Sequence, residues 1–162
     1  GIRGPRQAQR CRRCMRCGLG KGFGVISQIL RPCLEKHFPN VIESASEGPL
    51  LLGNSRLVAR CPAVSSEFGD VEIYDDGDEV TIFLGDFTHI HIGCYEEQLS
   101  PAEKEEMIVQ QTMDFLSRLF ADKIECWKQW WGGGCGPRGS RSGFVFVWSG
   151  RVASNENPGS LE

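Results

Sequence analysis

Ser100-Pro101-Ala102-Glu103 constrains the fold of this chain more than any other four residues. A serine N-cap accepts from a free N–H of the first helical turn, proline suits the first helical position, and glutamate at N3 reaches back to the cap. Ile108, Thr112, Phe115, Leu116 and Leu119 follow at helical spacing as one apolar stripe, while Glu103, Glu106, Gln110 and Asp114 fall largely outside it. The pattern predicts a helix from residue 101 to about 121. A helix with one apolar face must pack against something, and the segments on either side of it read as strands.

Before it, Arg56–Cys61, Val71–Tyr74, Glu79–Leu84 and Phe87–Gly93 carry β-type runs. Asp75-Asp76-Gly77-Asp78 reads as a hairpin turn, because Asp-Gly tolerates the positive φ angles a tight turn needs. After it come strands at Ile124–Trp131 and Phe144–Trp148, joined by Gly132–Gly143, whose six glycines read as a long flexible connection. Phe23, Ile26, Leu30 and Leu34 predict a helix over 22–37, with a kink or restart at Pro32 and an end at Pro39-Asn40. The order α-β-β-β(-β)-α-β-β predicts an α+β fold: a mostly antiparallel sheet of five to six strands, one long helix packed on it, and an N-terminal helix.

Charge divides the chain. Residues 1–34 hold eight basic residues and no acidic one, whereas the remaining 128 hold ten basic and all 21 acidic residues, a split of +8 against −11. Residues 1–21, rich in Arg, Gly and Cys, read as a flexible head, a composition that translated GC-rich DNA would also give. Residues 22–150 read as a single domain and 151–162 as a disordered or appended tail. No run of 18 apolar residues occurs, so no spanning helix is expected. Eight unevenly spread cysteines without a visible secretory signal read as reduced thiols in a cytoplasmic protein.

Several clusters have the residue types of functional sites. Cys11, Cys14 and Cys17, with Cys33 as a fourth ligand, offer thiolates to zinc or an iron–sulfur cluster, although Lys21 stands where a ferredoxin run has its fourth cysteine. Arg10, Arg12, Arg13 and Arg16 could contact phosphates, but no aromatic lies among them to stack on bases. Gly18, Gly20, Gly22 and Gly24 lack the spacing and the hydroxyl of a phosphate loop. His89 and His91 lie two apart on a strand and therefore share a face, the arrangement that suits zinc, iron or manganese with Asp86, Glu96 or Glu97 completing the shell. Asp75–Glu79 lacks the distal glutamate of an EF-hand and reads as a charged turn. Trp127 and Trp131 beside Arg138 and Arg141 read as a ligand or partner surface.

Residues 69–123 carry Gly69-Asp70-Val71-Glu72-Ile73-Tyr74-Asp75-Asp76-Gly77-Asp78-Glu79, then Gly85-Asp86-Phe87-Thr88-His89, then the Ser100 helix ending in Phe120-Ala121-Asp122. This stretch resembles small uncharacterised bacterial proteins. The resemblance implies a compact α+β domain and brings no catalytic residue with it. The chain thus reads as a non-catalytic binding or interaction module for a protein or small-ligand partner, away from the membrane. One alternative is a metal-dependent hydrolase or lyase using His89 and His91, with zinc as the fitting cofactor. A second is a metal-bound head that contacts nucleic acid through residues 1–34.

Overall fold

A computed structural model describes residues 26–44, 55–130, 132–141 and 143–154. The head over 1–21, with Cys11, Cys14, Cys17 and its arginines, lies outside the described residues, and so does Trp131. The described chain is α+β, with two helices and two antiparallel sheets in the order α1(Ile26–His37) β1(Glu43–Ser44) β2(Arg56–Cys61) β3(Val71–Asp75) β4(Glu79–Leu84) β5(Thr88–Gly93) α2(Pro101–Phe120) β6(Ile124–Gln129) β7(Gly132–Pro137) β8(Gly143–Val147) β9(Gly150–Ser154). No described helix is long and apolar enough to cross a membrane.

α2 begins on the expected capping box. The Glu103 N–H donates to Ser100 Oγ, and the Glu103 carboxylate accepts from the Ser100 N–H at 2.9 Å. Ile108, Val109, Thr112, Leu116 and Leu119 are its buried face. α1 buries Ile26, Leu30 and Leu34 and runs through Pro32 without a break. The bond that proline deletes would have ended on the carbonyl of Gln28, an exposed residue whose backbone water can serve. α1 has no acidic residue in its first turn. Its cap comes from β3 instead: the buried Asp75 carboxylate accepts the Ser27 N–H at 2.7 Å and the Gly77 N–H at 2.9 Å.

The expectation of a single sheet is corrected. β1 to β5 form one sheet in sequence order, and β7-β6-β8-β9 form a second. The larger difference is at residues 132–137, expected as flexible connection and found as strand β7, in register with β6 from Ile124↔Pro137 to Gln129↔Gly132. The glycines are there because the Trp127 indole lies across them. A Cβ at Gly134 would sit 2.8 Å from the ring and one at Gly136 3.4 Å from it, while one at Gly133 would strike the Phe87 carbonyl. Glycine thus lets β7 pass between an aromatic ring and the first sheet. β9 extends four residues beyond the expected domain end at 150.

One hydrophobic cluster spans both sheets and both helices. Phe68 packs on Phe87 at 5.5 Å and on Trp148 at 5.7 Å between ring centroids, and Trp148 meets Phe120 of α2 at 5.1 Å. Both helices lie on the inward side of the first sheet, with Ile73 and Ile82 in the core beneath them. The opposite side carries Arg60, Glu72, Phe83, His89 and His91.

Candidate functional site

The register of β3, β4 and β5 builds this outer face row by row. Glu72, Phe83 and His89 are cross-strand partners, and Tyr74, Thr81 and His91 form the next row. Rings from the two rows touch in series: Tyr74 to Phe83 at 5.6 Å, Phe83 to His89 at 5.4 Å, His89 to His91 at 5.1 Å. The Tyr74 hydroxyl donates to Glu72 Oε2 at 2.9 Å. Burial, together with that bond and the Glu72 charge, pushes the Tyr74 phenol up to about 12, against the opposing pull of Arg60.

His89 and His91 do share a face, but they acquire different neighbours. His91 Nδ1 lies 2.9 Å from Glu79 Oε1 and 3.0 Å from Thr81 Oγ1. Thr81 and Ser55 donate to the two oxygens of Asp76. One ligand atom from each of Asp76, Glu79 and His91 lies within 4.8 Å of the others. Asp86, Glu96 and Glu97, expected beside the histidines, are not in this group, and neither is His89. Glu79 opens β4 at the end of the β3–β4 turn, and the β4–β5 register, which sequence spacing alone does not show, sets it beside His91.

At the other end of the same face is a cleft of about 360 Å³, lined among others by Glu67, Asp70, Glu72, Asp86, Phe83 and Lys128. Two glycines make it. A Cβ on Gly69 would lie 3.1 Å from the Gly85 Cα, and both residues have positive φ (86° and 51°), so the 66–70 loop rests against the turn at Gly85-Asp86. Lys128 is the cation that lines the cleft, and Arg60 pairs with two of its carboxylates from beside it. Arg60 bridges Asp70 (3.2 Å) and Glu72 (3.0 Å). Lys128 lies 3.8 Å from Asp86 and 5.5 Å over the Phe87 ring. With four carboxylates around the cleft against these two cations, negative charge is in excess. The repeated Gly-Asp pairs at 69–70 and 85–86 were the sequence signal for this cleft, visible only once the two turns are known to touch.

The expected Trp127, Trp131, Arg138 and Arg141 surface is only partly assembled among the described residues. Trp127, on β6, is half-buried against the glycines of β7, with the Arg141 guanidinium carbon 4.2 Å from its ring centroid. The fully buried Glu125 carboxylate holds the turn between them by accepting from the Gly139 N–H (2.8 Å) and Ser140 Oγ (2.7 Å). The exposed Arg138 uses its backbone N–H on the Lys123 carbonyl at 2.9 Å. Trp130, which strand parity would put on the core face with Cys126, follows the end of β6 and is 94% exposed. Cys33 is half-buried on α1 against the core.

No protein-family model matches the chain, and no curated protein or solved structure is significantly similar to it.

Proposed function

We propose that this domain is a non-catalytic binding module whose outer sheet face and acid-lined cleft receive an arginine-rich segment of a protein partner. The reading rests on the cleft itself, where carboxylates in excess surround the exposed Phe83 ring. Guanidinium groups stack on aromatic faces and pair with carboxylates through planar donors, and Arg60 already makes the ionic half of that contact with Asp70 and Glu72. Phe83, 39% exposed between Glu72 and His89, supplies the stacking half. The same geometry favours binding over a hydrolase or lyase at His89 and His91, because both rings stand on the open face and neither lines the cleft.

Fluorescence anisotropy with labelled hexa-arginine and hexa-lysine tests this. Hexa-arginine should bind more tightly than hexa-lysine, since only guanidinium stacks well. Binding should weaken roughly tenfold or more in Phe83→Ala and in Glu67→Gln/Asp86→Asn, the change that ~1.4 kcal/mol of lost contact would give. Equal binding of the two peptides, indifferent to these substitutions, would reduce the interaction to non-specific charge attraction and overturn the proposal.

A further inference from the structure

We infer that Asp76, Glu79 and His91 form a second, separate site that takes a divalent cation of the zinc class. None of the three lines the acid cleft, so this site does not rest on the peptide-binding reading.

The donor set is one imidazole nitrogen and two carboxylate oxygens, which suits zinc and leaves a fourth position for water. Donors around a tetrahedral zinc ion, each about 2.0–2.2 Å from the metal, sit roughly 3.3–3.6 Å apart. His91 Nδ1 and Glu79 Oε1 are 2.9 Å apart, and all three donors lie within 4.8 Å of each other. Small side-chain rotations therefore reach coordination distance. His91 is exposed, and Asp76 and Glu79 are half-buried, so the rotations disturb no core packing.

The backbone already holds the ligands in place. Asp76 and Glu79 flank the two turn residues Gly77 and Asp78, and the turn is closed by the Asp76 N–H donating to the Glu79 carbonyl at 3.0 Å. Gly77, at φ 98°, adopts the left-handed conformation this turn needs. The register Thr81↔His91 then sets the imidazole beside the turn. Ser55 and Thr81 donate to the two Asp76 oxygens, and Thr81 Oγ1 also lies 3.0 Å from His91 Nδ1. Hydroxyls that orient the carboxylate of a ligand set are the usual outer support of a metal site. An entering ion takes the place of any proton on Nδ1, which moves to Nε2 or to solvent.

The test is a zinc titration of the full chain, followed by calorimetry and by NMR of the histidine rings. One equivalent of zinc should shift the His91 ring signals well beyond those of His37. That equivalent should weaken at least tenfold in His91→Ala and in Glu79→Gln. It should persist when Cys11, Cys14 and Cys17 are all changed to serine, which separates it from a thiolate site in the head. Cobalt bound there should lack intense thiolate charge-transfer absorption. His91 ring signals unmoved at excess zinc in the unmodified chain would overturn the assignment, whatever the variants do. So would an affinity unchanged in His91→Ala.

Discussion

Asp75→Ala should destabilise the whole domain, although Asp75 looks in the sequence like one more charge in an acidic turn. The carboxylate is buried at 3% exposure and accepts two backbone N–H groups, one from Ser27 and one from Gly77. The two donors have different fates once it is removed. Gly77 is exposed, so its N–H rehydrates at little cost. Ser27 is buried in the first turn of α1, and its orphaned N–H costs about 1–3 kcal/mol. Losing a negative charge at the α1 N-terminus adds about 0.3–1 kcal/mol. The sum, with the loss of packing around the vacated side chain, is about 2–4 kcal/mol, or roughly 5–15 °C in Tm for a domain of this size. Urea and thermal unfolding followed by far-UV circular dichroism measure it, and hydrogen exchange should show amides of α1 losing protection first. A loss below about 0.5 kcal/mol would refute the claim that β3 caps α1.

Three further outcomes follow from local geometry. Gly134→Ala places a methyl group 2.8 Å from the Trp127 indole and should cost about 1–3 kcal/mol while shifting tryptophan fluorescence; an unchanged spectrum would mean that the ring does not rest on β7. Cys126 and Cys135 are cross-strand partners, and a hydrogen bond from the Cys126 thiol to the Cys135 sulfur holds Cys135 below the ordinary thiol range and Cys126 above it. Iodoacetamide should therefore modify Cys135 first, as mass mapping would show, and equal rates would contradict the pairing. The Ser100 side chain and backbone lower the Glu103 carboxyl below its ordinary 4.5, so its contribution to α2 is complete above that pH and is lost as pH falls through the folded value. Glu103→Gln should remove this part of the acid dependence of stability, and an unchanged pH profile would count against the capping box.

Much of the fold was legible because side-chain patterns reported it directly. The Ser100 box and the stripe from Ile108 to Leu119 mark α2, and β2 and β4 occupy the residues the alternation indicates. β7 was not legible, because glycine has no side chain to show a period of two, and what orders Gly132–Pro137 is Trp127 on the facing strand. Two sheets rather than one could not be read from element order, since β6 pairs with β7 and β8 and not with the earlier strands. At the candidate sites, His91 was identifiable from its parity with His89. Its actual neighbours depend on a register between β4 and β5 and on a turn twelve residues earlier. The acid-lined cleft needs Gly69 and Gly85 to meet in space, which neither Gly-Asp pair announces alone.

The most direct test of the binding surface is a two-dimensional amide NMR titration of the labelled chain with hexa-arginine at moderate salt. The shifted amides should cluster at Gly69, Asp70, Glu72, Phe83, Gly85 and Asp86, and the shifts should collapse in Phe83→Ala. Shifts confined to the 132–141 hairpin, or spread evenly over the acidic residues of the surface, would contradict it.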